Sequence, residues 1–388
     1  MTIATKPERP QLKTDGDSNA IEVSIVLPCL NEEEAVAACV KDGLAWFERS
    51  GVRGEVIVVD NGSTDRSREE AERAGARVIE ERRRGYGAAH LRGFAEARGE
   101  IIVMADADAT YDLRNLDALV DPVRNGYDMT VGNRMGAIAP GAMTWSHRVI
   151  GTPAISFMLK IFTGSSIGDS QCGLRAFSRD AYERMELRSS GMELASEMIL
   201  KAFRRNMKVA ETPITYAVRQ GETKLNTFRD GWRHLRYLLL HTPLYLFLIP
   251  GAILVLAGLV SLTAIGGITI GSLTWQPVFA GGMLLIVGTN ALMIGMASHM
   301  YAVSRGLIAE DGITRFYRRY FNLEGLLGLA GILLLAGIGL DGLIFFRWVS
   351  GNEMGVSTLG TAALAQSAII IGANLALGAF LAALIDLE

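Results

Sequence analysis

Two aspartates one residue apart, Asp106 and Asp108, close the apolar run Ile101-Ile102-Val103-Met104-Ala105, with the small Ala107 between them. Carboxylate oxygens are hard donors that suit Mg2+ or Mn2+, and such a cation neutralises a departing diphosphate. Two more polar clusters follow apolar runs: Asn31-Glu32-Glu33 after residues 23–28, and Asp60-Asn61-Gly62-Ser63-Thr64-Asp65 after residues 55–59. Asp60 suits a ribose hydroxyl or a base edge. Arg134, Arg175, Arg219 and Lys224 are candidate clamps for phosphate, and arginine offers a bidentate fork that lysine does not. The combination points to a nucleoside diphosphate with something attached to it.

These groups need a scaffold that gathers strand ends. Residues 23–28, 55–59, 76–80 and 101–104 predict four strands with helices between them. That order implies right-handed crossovers and a parallel sheet, with the ligand crevice at the carboxyl ends of the strands. Pro28 stops the first strand, and Asn31 is expected to cap the helix that runs to about Arg49. Gly62 permits a tight turn, while Ser63, Thr64 and Asp65 can cap the next helix. The basic stretch Arg82-Arg83-Arg84-Gly85-Tyr86-Gly87 reads as a solvated link into a helix ending near Arg98. Pro28-Cys29-Leu30-Asn31 stands where a dinucleotide binder carries its glycine fingerprint, which disfavours an oxidoreductase.

The chain of 388 residues is 49% hydrophobic with a net charge of −3, so nothing points to nucleic acid as a partner. Charge is concentrated before about residue 240. Beyond it lie four apolar runs, roughly residues 244–270, 277–300, 323–346 and 362–385, each near the ~20 residues that cross a bilayer. Arg305, Arg315, Arg318 and Arg319 make the middle connection the most basic. The positive-inside rule therefore places it, the N-terminal half and the C-terminus in the cytoplasm. Cys29, Cys39 and Cys172 are an odd count without metal-ligand spacing, as expected of free thiols in a reducing compartment. The polar first 20 or so residues lack an apolar core for a signal peptide and read as a disordered tail. Residues 228–243 mix Arg229, Arg233 and Arg236 with Trp232 and Tyr237, the composition of an amphipathic helix at headgroup level. Such a helix would also attract an anionic lipid phosphate. Gly266-Gly267 and Gly281-Gly282 permit close helix packing.

Pro28-x-x-Asn31-Glu32, Asp60-Asn61-Gly62-Ser63-Thr64-Asp65 and Asp106-Ala107-Asp108 resemble the motifs of inverting glycosyltransferase family 2, which has the GT-A fold. Within it the chain looks like the dolichol-phosphate mannosyltransferase and polyprenyl-phosphate glycosyltransferase branch, over about residues 22–240. Val131-Gly132-Asn133-Arg134 resembles that branch's strand ending in a phosphate-contacting arginine. The run from Asp169 through Ser170, Gln171, Cys172 and Arg175 to Phe177 resembles its acceptor-side segment. Met192-Glu193 to Glu197 and Arg219-Gln220-Gly221-Glu222-Thr223-Lys224 resemble its late acidic and basic motifs. Two departures stand out. Thr110 occupies the place of a glutamine that often serves the relatives as a further metal ligand, which leaves a third ligand open. Gln171 and Arg175 are one residue too far apart for the Gln-x-x-Arg-Trp of processive synthases, and no Trp follows.

The resemblance implies an α/β architecture: a Rossmann-like, mostly parallel GT-A domain over residues 21–227, the interfacial helix 228–243 and a four-helix transmembrane domain over 244–388. It implies transfer of one sugar, with inversion, from a nucleotide sugar to a polyprenyl or dolichyl phosphate at the cytoplasmic face of the plasma membrane. UDP-glucose is the first expectation for the donor and GDP-mannose the second. Pro28, Asn31, Glu32, Asp60, Asn61, Asp65, Asp106, Ala107 and Asp108 would bind the nucleotide sugar, with Asp106 and Asp108 holding Mg2+ or Mn2+. Arg134, Ser170, Gln171, Arg175, Arg219 and Lys224 would meet the acceptor phosphate. Asp108, Arg134, Arg175 and Arg219 would carry catalysis. A phosphate acceptor is already an anion at neutral pH, so positioning and cationic clamps suffice. A lipid alcohol or glycan acceptor would need a base, for which Asp112, Asp169 or Glu197 is available. Another possibility is a lipid-linked-sugar translocator with a regulatory soluble domain, against which stands the scarcity of ionisable residues in the apolar runs. Glu193 and Glu197 otherwise read as a solvated helix face, and His90 and His147 show no ligand spacing. The helices leave room for a homo-oligomer.

Overall fold

The computed structural model describes residues 20–221, 227–262, 268–271, 273–275, 277–304, 310–320, 322–351 and 356–386. Most of the tail expected at residues 1–20, together with Lys224, Gly266, Gly267 and Arg305, lies outside the described residues. The chain divides into two compact units after Leu238.

The first unit is built on one seven-stranded sheet in the order β3-β2-β1-β4-β6-β5-β7. Its strands are β1 (Val23–Cys29), β2 (Gly54–Asp60), β3 (Arg77–Glu80), β4 (Ile101–Met104), β5 (Met129–Asn133), β6 (Arg175–Ser178) and β7 (Val209–Pro213). Helices α1 (Val36–Ser50), α2 (Ser67–Ala74), α3 (Tyr86–Glu96), α4 (Asp117–Arg124), α5 (Thr152–Thr163), α6 (Arg179–Met185) and α7 (Leu194–Arg204) connect or flank them. Pairing is parallel except at β6, which runs antiparallel between β4 and β5. The sheet is therefore mostly parallel and Rossmann-like. Its central strands read as continuous Val and Ile because helices cover both faces, and Val23, Ile25–Leu27, Ile57–Val59 and Ile102–Met104 are fully buried. Strand order reverses between β1 and β4, the place where an open α/β sheet leaves a crevice at its carboxyl edge.

One helix closes this unit. In α8 (Thr227–Leu240) the sequence puts His234 and Leu238 one turn apart, and both are buried. On another face Trp232, Arg236 and Leu240 are exposed. The helix is thus two-sided, with one stripe packed into the α/β unit.

In the second unit, four helices are long and apolar enough to cross a membrane: Leu244–Leu262, Pro277–Ser304, Leu323–Val349 and Thr358–Leu384. The first comprises a π-helical stretch, Leu244–Leu248, and α9 (Ile249–Leu262). It is shorter than the run expected to reach residue 270, because residues 268–270 are β8 (Ile268–Ile270) of a two-stranded hairpin with β9 (Leu273–Trp275). Gly271, at φ +63°, makes the turn that apolarity alone conceals. Then come α10 (Pro277–Ser304), the short α11 (Gly312–Tyr320), α12 (Leu323–Val349) and α13 (Val356–Asp386). A Cβ on Gly258 would lie 2.9 Å from the Gly281 carbonyl oxygen, so α9 and α10 meet backbone to backbone.

Candidate active site

Asp106 and Asp108 leave the end of β4, and each has one oxygen held by a neighbour. The Tyr86 hydroxyl, at the start of α3, donates to Asp106 Oδ1 at 3.1 Å. Thr110 donates to Asp108 Oδ1 through its amide at 3.1 Å and its hydroxyl at 2.6 Å. The residue standing where a third ligand was sought therefore orients the second. Among the described residues, Asp106 Oδ2 accepts no hydrogen bond, and Asp108 Oδ2 meets Arg219 Nη1 at 3.5 Å. Gly173 keeps the first of these oxygens approachable, since a Cβ there would lie 2.8 Å from it. Burial, with Asp108 beside it, pushes the Asp106 carboxyl up to about 7. Two hard carboxylates, each fixed through one oxygen, fit a divalent cation completed by phosphate and water. No cluster of three or more His, Cys, Asp or Glu with metal-binding geometry occurs among the described residues.

The loops after β1 and β2 are laced together beside this pair. Asn31 does not cap α1, which begins five residues later at Val36. It takes the left-handed conformation at φ 52°, which asparagine tolerates, and its carboxamide oxygen accepts from the Thr64 amide at 2.8 Å. Asp60 accepts from the Ser63 amide at 2.9 Å, and Asp65 accepts from the amides of Ser67 and Glu33. The Asn61 side chain donates to the carbonyls of Glu81 and Arg83 and accepts from the Gly85 amide. The arginine-rich link is thereby tied to the end of β2. Pro28 lies in β1 beside Val59, and Ala107 is buried between the aspartates.

Glu32 closes the far side of this lacing. Its Oε1 meets Arg219 Nη2 at 2.5 Å, so Arg219 bridges the β1 loop and Asp108. The Gln220 and Ala217 amides donate to the carbonyls of Asp108 and Thr110, which seats the segment before the membrane helices directly on the carboxylate loop.

The other two arginines are engaged differently. Arg134 gives its fork to Asp169, at 2.7 and 2.8 Å, in a buried bidentate pair, and stacks over Tyr216 at 5.1 Å. Arg175 is fully buried and donates to the carbonyls of Cys172, Ala195 and Ser170. Burial lowers its pKa. The guanidinium expected to meet an acceptor phosphate instead stitches the 170–175 segment to α7. Ser170 and Gln171 are in the same fabric: Ser156 donates to Ser170, and Gln171 donates to both Ser170 and Ser196. Ser196 is 2.9 Å from Nδ1 of His234 on α8, which carries the chain of side chains to the juxtamembrane helix.

Asp112, Asp169 and Glu197, the acids available as general bases, are each engaged by protein donors. Asp169 is taken up by Arg134. Asp112 accepts from the Arg114 amide and the Asn115 carboxamide. Glu197, buried rather than on a solvated face, accepts from the amides of Arg188 and Ser189 and pairs with Lys201 at 2.7 Å. Glu193 accepts from the Gly191 amide. His90 is buried between Tyr86 and Phe94, and burial lowers it to about 3. His147 opens a π-helical turn, His147–Gly151. Thr110 was marked by its place two residues after Asp108, whereas Tyr86, Ser196 and His234 were not legible as site residues. Of these three, only Tyr86, an aromatic between two glycines at a helix start, carries a local signal.

The family model described as glycosyl transferase family 2 matches residues 24–185, and the glycosyltransferase family 2 C-terminal transmembrane region matches residues 296–386. The low-salt glycan biosynthesis hexosyltransferase Agl6 of Haloferax volcanii is 38% identical over 376 residues, 95% of this chain and 90% of that protein. The dolichyl-phosphate hexose transferase of the same organism is 32% identical over 54% of this chain and 89% of its own length. The undecaprenyl-phosphate 4-deoxy-4-formamido-L-arabinose transferase of Pectobacterium atrosepticum is 29% identical over 71% of this chain and 85% of its own length.

Proposed function

The chain belongs to glycosyltransferase family 2, and on that footing we infer that it transfers a single sugar from a nucleotide sugar to a polyprenyl or dolichyl phosphate. The observation that carries this reading is that Asp106 keeps one oxygen free of protein donors beside Asp108, while Asp112, Asp169 and Glu197 are engaged by protein donors. An acceptor that brings its own oxyanion needs no base from the enzyme. The names of two relatives, transferases of dolichyl and undecaprenyl phosphate, support the same acceptor class.

In this reading Asn31, Glu32, Asp60, Asn61 and Asp65 hold the nucleotide between the β1 and β2 loops. Asp106 and Asp108 would hold Mg2+ or Mn2+, and the cation would neutralise the diphosphate as it leaves. An acceptor phosphate oxygen attacks the anomeric carbon opposite the diphosphate, so one carbon–oxygen bond forms as the other breaks and the centre inverts. Arg219, partly exposed and held between Glu32 and Asp108, is the clamp, and Lys224 follows it in sequence. Arg134 supplies fixed positive charge. Arg175, Ser170 and Gln171 position the acceptor-side segment. Residues 21–227 form the catalytic domain at the cytoplasmic face of the plasma membrane. Residues 228–243 place Trp232 and Arg236 at headgroup level, and residues 244–388 anchor the enzyme. UDP-glucose is the first donor to test and GDP-mannose the second.

The deciding experiment gives full-length protein a short polyprenyl phosphate, Mn2+ or Mg2+ and a panel of labelled UDP- and GDP-sugars. One labelled sugar should appear in an acid-labile lipid, and EDTA or Asp108→Asn should abolish it. Donor binding without any lipid product would replace this reading with transfer to a lipid alcohol or glycan.

A further inference from the structure

Between the second and third spanning helices lies α11, whose sequence is Gly-Ile-Thr-Arg-Phe-Tyr-Arg-Arg-Tyr. We propose that α11 is a membrane-surface helix that binds the headgroups of anionic bilayer lipids through Arg315, Arg318 and Arg319. The inference does not depend on the reading of the catalytic site.

Helical spacing sorts this segment into two faces. At ~100° per residue, Arg315, Arg318 and Arg319 fall within one arc, and Ile313, Phe316, Tyr317 and Tyr320 fall within the opposite one. All three arginines are exposed. Phe316 and Tyr320, one turn apart with ring centroids at 5.1 Å, are 55% and 59% exposed. An aromatic face opposite a cationic face is the composition of a helix lying at the boundary of headgroups and acyl chains. The helix contains no acid, and the ion pair of Arg318 with Glu310 at 3.4 Å is half exposed and weak.

Chain connectivity holds the helix at that depth. Seven residues separate it from Ser304, the last of α10, and two separate it from Leu323, the first of α12. Both flanking helices exceed the ~20 residues needed to span hydrocarbon, so a short helix tethered between their ends stays at the bilayer face. Its orientation is pinned as well. Asp311 caps the helix by accepting from the Thr314 amide and hydroxyl, both at 2.9 Å. The buried Nε2 of His299, on α10, lies 3.2 Å from both Asp311 Oδ1 and Thr314 Oγ1. The hook fixes the first turn to α10 through Thr314, at the edge of the cationic arc, and leaves the arginines outward. Guanidinium groups at this level meet lipid phosphates, with which they make charge-assisted bonds.

The test uses the full-length protein with Phe316→Cys labelled by an environment-sensitive fluorophore, in nanodiscs of phosphatidylcholine with or without phosphatidylglycerol. The native thiols permit this: Cys29, Cys39 and Cys172 are buried, and burial pushes them up to about 11, 12 and 12. Emission should be blue-shifted, and brominated phosphatidylglycerol should quench it about twofold more than equally brominated phosphatidylcholine. R315Q/R318Q/R319Q should erase that preference, while R315K/R318K/R319K should retain it. Water-like emission quenched by iodide would overturn the surface location. Equal quenching by the two brominated lipids would overturn headgroup binding, and so would loss of the preference in the lysine variant.

Discussion

Tyr86 and Thr110 each spend a hydroxyl on one oxygen of an aspartate; the other oxygen of Asp106 stays available for a cation, and that of Asp108 faces Arg219. Removing the Tyr86 bond to Asp106 deprives the charged carboxylate of a donor that favours it. Tyr86→Phe should therefore weaken Mn2+ binding by roughly tenfold at pH 7, as a hydrogen bond to a charged group is worth about 1.5 kcal/mol. Electron paramagnetic titration of free Mn2+ reads this directly, and unchanged affinity would remove Tyr86 from the site. The raised pKa of Asp106 sets a pH window. Its proton competes with the cation, so affinity should fall as pH drops from 8 to 6, where a pair of ordinary aspartates would stay flat. Stability runs the other way without metal. A carboxyl raised from 3.8 to about 7 contributes stability that is complete below pH 3.8 and lost as pH rises through 7. Melting of the metal-free protein at pH 6 and pH 8 checks the sign, with the Asp106 contribution isolated by comparison with Asp106→Asn. The Asp-x-Asp pair was legible because both carboxylates are adjacent in sequence. Tyr86 was not, because its reach to Asp106 depends on how α3 packs over β1 and β2.

Elements, more than single groups, decide what the arginines do. Arg175 opens β6, a strand that four residues with polar ends do not announce and that exists because β4 and β5 flank it on both sides. Its three carbonyl bonds belong to that insertion. Arg175→Lys can satisfy only part of them and should cost about 2–4 kcal/mol of stability, seen as a lower unfolding midpoint. Arg219→Lys, at the partly exposed bridge, should shift the midpoint far less. Equal losses would contradict the distinction drawn between the two. A second constraint lies at the start of α3, where a Cβ on Gly87 would sit 2.2 Å from the Ser189 carbonyl oxygen. The same loop is held from beneath by Glu197. Gly87→Ala must therefore move backbone, with an expected loss of about 1–3 kcal/mol. The four early strands were readable from β-branched runs. The antiparallel insertion was not, since pairing direction is settled by partners distant in sequence.

At the scale of the whole molecule, the two units answer to different solvents. The first is held by an apolar core among strands and helices, and the second by helices whose backbone bonds are internal. Urea added to the detergent-solubilised protein should unfold the first cooperatively, with loss of the buried Trp46 signal, while much of the helical circular dichroism persists. Complete loss of ellipticity in one transition would show the units to be a single cooperative body. The apolar runs made the second unit legible in outline, but Gly271 and its hairpin shortened the first span in a way hydropathy cannot register. The bridge from Arg219 to Glu32 has a consequence for the newborn chain. The two residues are 187 positions apart, so at about 5–20 residues per second the ribosome adds Arg219 some 10 to 40 s after Glu32. Until then the carboxylate loop lacks its counter-ion and the strap that seats on it. This edge of the sheet is completed last, just as the first apolar helix is about to be made.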